Sequence, residues 1–122
     1  MASFFRPKRR LLTEEERKLL EWLLANGGPD AKPYLSQIAN LKVVGKCTCG
    51  CPTIDLALGD REQRKTGSSV LLADFVGSTP EGIEVGVIVH AREGEISELE
   101  VYAIAGNEAR FNLPSVESLK PF

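Results

Sequence analysis

Between Gly82 and His90 the chain alternates without a break. Ile83, Val85, Val87 and Val89 fall on one side of an extended strand, with Glu84, Gly86, Ile88 and His90 on the other. Successive side chains of a strand point to opposite faces, so this segment builds a sheet with one apolar face that another layer must cover. Residues 96–104 repeat the pattern, placing Leu99, Val101 and Ala103 on one side and Glu98, Glu100 and Tyr102 on the other. A face this polar fits an antiparallel sheet and argues against a doubly wound parallel one. The intervening Ala91-Arg92-Glu93-Gly94-Glu95 is short enough for a hairpin, with glycine at the strained position.

Three earlier segments read as strands: residues 41–45, 53–58 and 70–76. The polar stretch 59–69 reads as a mobile loop. Gly77-Ser78-Thr79-Pro80-Glu81-Gly82 reads as a turn, because its glycine spacing matches neither a phosphate-binding loop nor a dinucleotide fingerprint.

The covering layer is written ahead of the strands. Thr13 and Glu16 form a capping-box pair at the start of a helix, satisfying backbone donors that would otherwise be orphaned. Leu19, Leu20, Leu23 and Leu24 then make an apolar stripe bordered by Trp22, and Gly27-Gly28-Pro29 ends the helix. Asp30 stands where it could cap a shorter second helix, whose apolar face is Ala31, Tyr34, Leu35 and Ile38. After the last strand, Phe111, Leu113, Val116, Leu119 and Phe122 can make a packed tail, in which Pro114 and Pro121 limit regular structure. The expected fold is α+β, an N-terminal helical pair packed against a mainly antiparallel sheet of four to five strands. With 122 residues the chain suits one compact domain over 11–122, preceded by a flexible basic arm over 1–10.

Charge excludes some functions and leaves others open. The formal net charge is −2, which argues against general polyanion binding. Arg6, Lys8, Arg9 and Arg10 concentrate positive charge at one end. No strand interleaves basic and aromatic residues as a base-stacking platform, so nucleic acid is not an expected partner. No apolar run approaches the roughly 20 residues needed to cross a bilayer, and the first residues lack the apolar stretch of a secretory leader. A soluble, cytoplasmic protein is the expectation.

All three cysteines lie in Gly45-Lys46-Cys47-Thr48-Cys49-Gly50-Cys51-Pro52. An odd number of thiols this closely spaced makes a poor disulfide framework. Cys47, Cys49 and Cys51 could bind Zn²⁺, with His90 brought in as the fourth ligand by folding. If the run were extended, Cys47 and Cys51 would stand about 13 Å apart. Shared ligation therefore requires a tight reversal before Pro52, and Gly50 is the residue best able to make it. The paired spacing of structural zinc sites is absent, as is the Cys-x-x-Cys of disulfide exchange. Two other readings stay open: redox chemistry, with Lys46 favouring a thiolate, and thiols that fill narrow core space as small hydrophobes. A thiol-dependent or hydrolytic enzyme would need His90 as its base, since it is the only histidine.

Carboxylates give no acid–base pair without knowledge of their separation. Asp55 and Asp74 interrupt strands, and Glu84, Glu98 and Glu100 could share a groove. Glu98, Glu100 and Tyr102 could instead form a partner-binding patch, with tyrosine as the anchor. An exposed edge strand would permit a homodimer.

The run Cys47-Thr48-Cys49-Gly50-Cys51-Pro52-Thr53 with Ile54-Asp55-Leu56 resembles a group of small uncharacterised bacterial proteins carrying a Cys-x-Cys-Gly-Cys-Pro motif. The later 82–89 and 99–102 strands resemble the same group, and so does the helix opening at Leu11 and Leu12. The resemblance implies a bacterial single domain and brings no activity with it. The expected function is a non-enzymatic interaction or binding module; the alternatives are a structural-zinc protein and a small enzyme.

Overall fold

The computed structural model describes residues 9–64, 66–106 and 110–122. Arg6 and Lys8 of the basic arm lie outside the described residues. Among the described residues, seven strands form one sheet: β1 (Arg10–Leu11), β2 (Leu41–Lys46), β3 (Ile54–Leu58), β4 (Val70–Ser78), β5 (Glu84–Arg92), β6 (Glu95–Ala103) and β7 (Lys120–Pro121). Their order is β1-β2-β3-β6-β5-β4-β7, and each neighbouring pair is antiparallel. The five long strands are those expected from alternation. The count of four to five is corrected to seven, because the edges are finished by two-residue strands too short to show a period. Arg10, placed in the basic arm by its charge, belongs to β1 and pairs with Val43 of β2.

Helix α1 (Glu14–Asn26) opens with the expected capping box. The Glu16 amide donates to Thr13 Oγ1 at 3.1 Å, and the Thr13 amide donates to Glu16 Oε1 at 2.8 Å. Leu19, Leu20, Leu23 and Leu24 are all buried in one core with Phe75, Val85, Val87, Val89, Leu99 and Val101 of the sheet. Each fully buried leucine stabilises the fold by about 1.5–3 kcal/mol relative to exposure. Trp22 packs edge-on against Phe75 of β4, with ring centroids 5.1 Å apart. Gly27 lets the end of α1 approach β4: a Cβ there would stand 2.6 Å from the Leu72 carbonyl oxygen.

The second helix differs from expectation. Lys32–Asn40 winds as a 3-10 helix with Ala31, not Asp30, at its N-cap and no side-chain cap. Ala31 is fully buried, and its Cβ lies close to where a Gly27 side chain would stand. Packing of Ala31 under the end of α1 thus places the cap one residue later than Asp30. Ile38 carries the helix's buried contact, with Tyr34 and Leu35 partly buried against the same core. The C-terminal segment packs through Phe111, Leu113, Val116 and Leu119, whereas Phe122 is exposed.

β5 and β6 meet in a two-residue turn in which Glu93 (φ 50°) and Gly94 (φ 80°) both have positive φ. That combination matches the twist of a hairpin's flanking strands. The stretch after β3, expected to be a mobile loop, is pinned to this hairpin. Arg61 and Arg64 pair with the buried Glu95, and Gln63 Nε2 donates to the Ser97 carbonyl at 2.7 Å. Arg92 Nη1 donates to the Gly67 carbonyl at 2.6 Å. Among the described residues, no helix is long and apolar enough to cross a membrane.

Candidate metal centre

The β2–β3 connection brings the three thiols together. β2 ends at Lys46, the Cys47 amide donates to the Thr53 carbonyl at 3.3 Å, and the chain reverses between them. Gly50 has a φ of 102°, the left-handed backbone that the reversal demands of a glycine. The Sγ atoms of Cys47, Cys49 and Cys51 consequently lie within 4.8 Å of one another. Cys49 is exposed, and Cys47 and Cys51 are half-buried. The reading of these thiols as small core hydrophobes is therefore corrected: a glycine reversal turns them out of the sheet's core.

Two backbone amides point at sulfur. The Cys49 amide donates to Cys47 Sγ and the Cys51 amide donates to Cys49 Sγ, each at 3.4 Å. Donors aimed at sulfur favour thiolate over thiol. Hydrogen bonds from the Cys47 and Cys51 thiols, followed by the Cys51 amide, bring Cys49 down to about 7. Cys47 is pushed up to about 11, first because its side chain bonds Cys49. Cys49 thus ionises near neutral pH, well below Cys47.

Two open cavities flank the reversal. One, of about 380 Å³, is lined by all three cysteines together with Glu98, Glu100 and Tyr102. The other, of about 570 Å³, is lined by Cys47 and Cys51 with Arg10, Lys46 and Arg110. The thiols therefore stand between the carboxylates of Glu98 and Glu100 and a mixed wall in which Glu16 pairs with Arg10.

His90, expected as a fourth ligand to the cysteines, sits in a second group. It faces Glu98 across the β5–β6 ladder, and His90, Glu98 and Glu100 offer ligand atoms within 4.8 Å of one another. His90 Nε2 is 2.7 Å from Glu100 Oε1, while Nδ1 is 3.0 Å from Ser69 Oγ. Burial raises Glu98 above the usual carboxylate range, assisted by the charges of Glu100 and Asp55 and opposed by His90 and Arg92. Tyr102, expected as a partner anchor, lies across Gly86 of β5: a Cβ on Gly86 would stand 2.2 Å from Tyr102 Cζ. Ser69 was not singled out by sequence, since serines before a strand carry no spacing signal.

Comparison with known proteins leaves the site to its own geometry: no family model, curated protein or solved structure matches the chain.

Proposed function

We propose that this is a zinc-binding protein whose β2–β3 reversal holds the ion through Cys47, Cys49 and Cys51. The observation that carries the reading is the gathering of three sulfurs within 4.8 Å of one another. In a tetrahedral site with Zn–S bonds near 2.3 Å, ligand sulfurs stand roughly 3.8 Å apart. Closing the group onto an ion thus requires only about 1 Å of side-chain adjustment. The two amide donors to sulfur suit ligation, because they offset charge on thiolates without competing for the metal. Three thiolates around Zn²⁺ leave a net charge of about −1, which Lys46 and Arg110 on the neighbouring cavity complement.

Metal binding stands ahead of partner binding for a specific reason. The residues expected to form a partner patch are used within the chain: Glu100 bonds His90, and Tyr102 covers Gly86. Three protein sulfurs leave a fourth position for water or an added ligand. The ion would hold the reversal closed between β2 and β3.

Cobalt titration tests this reading. Adding Co²⁺ to the reduced chain should produce thiolate charge-transfer absorption that saturates at one equivalent. Cys49→Ser should weaken binding by at least about 10-fold, since it removes a direct ligand. An absence of the absorption in a folded, reduced chain would defeat the proposal.

A further inference from the structure

The outer face of β5 and β6 carries a second set of donors that the cysteine site does not use. We propose that His90, Glu98 and Glu100 form a separate site for a first-row divalent cation that accepts imidazole and carboxylate ligands, with Mn²⁺ as its probe.

The ladder assembles this group from distant parts of the sequence. His90 and Glu98 are direct cross-strand partners, and Glu100 lies two residues further along the same face of β6. Their ligand atoms all fall within 4.8 Å of one another, so a single ion can reach one from each side chain. The register shifts immediately beside His90, where Ala91 pairs with Ile96 and Ser97 is passed over. Bulges of this kind bend a strand and re-aim its side chains.

The imidazole distinguishes this group from a solvated stripe of glutamates. His90 is largely buried, with 16% of its side chain exposed, and both of its ring nitrogens are engaged. Ser69 Oγ, at 3.0 Å from Nδ1, fixes the ring plane and directs Nε2 toward the carboxylates. A histidine ligand is commonly oriented in this way, by a bond at its other nitrogen. A neutral imidazole with its hydrogen on Nδ1, donated to Ser69 Oγ, would offer the Nε2 lone pair to the ion. Two carboxylates and one imidazole suit Mn²⁺ or Fe²⁺ and leave further positions for water. The cysteine reversal selects softer chemistry, so the two sites are distinguishable by metal. Glu98 and Glu100 also line the cavity beside the thiols.

His90 is the only histidine in the chain, so its ring resonances report on this site alone. Mn²⁺ added below one equivalent to the zinc-loaded, reduced protein should broaden the His90 ring signals before those of the core. The double variant Glu98→Gln, Glu100→Gln should weaken Mn²⁺ binding at least about 10-fold, and Ser69→Ala by roughly 10-fold through loss of ring orientation. A Cys47→Ser, Cys49→Ser, Cys51→Ser chain should retain the Mn²⁺ effect while losing zinc, which separates this site from the cysteine one. Unchanged His90 signals at one equivalent of Mn²⁺ would overturn the proposal. Equal Mn²⁺ affinity in the glutamine double variant would overturn it as well.

Discussion

Cys49 combines exposure with the lowest thiol pKa described for the cluster, about 7, whereas its neighbour Cys47 is held near 11. Thiolate rather than thiol is the nucleophile. In the metal-free, reduced chain, iodoacetamide should therefore modify Cys49 first, with a rate that rises to half its maximum near pH 7. Peptide mapping across pH 6–9 checks this, and equal modification of Cys47 and Cys49 at pH 7 would contradict it. Gly86 offers a second test, because Tyr102 occupies the space its side chain would fill. Gly86→Ala should cost about 1–3 kcal/mol in denaturant unfolding. Combined with Tyr102→Ala, it should cost less than the sum of the two single changes. At this scale the need for a reversal at Gly50 was legible, since three alternate thiols cannot meet while extended. The partner of His90 was not: cross-strand neighbours follow from register, and the shift beside Ala91 leaves no periodic trace.

Among the elements, α1 was the most legible, because its start is fixed by side-chain chemistry rather than by propensity alone. Glu16 caps the helix through Thr13 and also takes two bonds from Arg10, at 2.9 and 3.0 Å, tying α1 to β1. Burial pushes the Glu16 carboxyl upward, but the Arg10 bonds and the Thr13 amide outweigh it and leave the group below its ordinary value. Its ionised form is therefore favoured by folding. The stabilisation is complete above the unfolded value of about 4.3 and is lost as pH falls through the lower folded value. Glu16→Ala should destabilise the protein by about 1–2 kcal/mol at pH 7, with the difference from the parent chain shrinking below about pH 4. Thermal melts at pH 7 and pH 3 measure both halves of that statement. The second helix was legible as an apolar face but not as a 3-10 winding. Its cap is set by Ala31 packing under α1, a tertiary contact that Asp30's capping chemistry does not anticipate.

For the whole molecule, the α+β architecture followed from two periods: leucines at helical spacing ahead of strands that alternate. The strand order did not, because β6 lies between β3 and β5 although two strands separate β3 from β6 in sequence. That arrangement is what makes a site. Pairing of Asp55 with Glu98 brings β3 beside β6, and the cysteine reversal leading into β3 is thereby set against Glu98, Glu100 and Tyr102. The sequence displayed the donors, and the sheet order decides which of them face one another.

Native mass spectrometry can show whether the β2–β3 reversal holds a metal ion. Freshly purified, reduced protein without added metal should carry one zinc per chain, and Cys49→Ser should release it. A folded parent chain that remains metal-free when one equivalent of zinc is supplied would show that the reversal is not a zinc site.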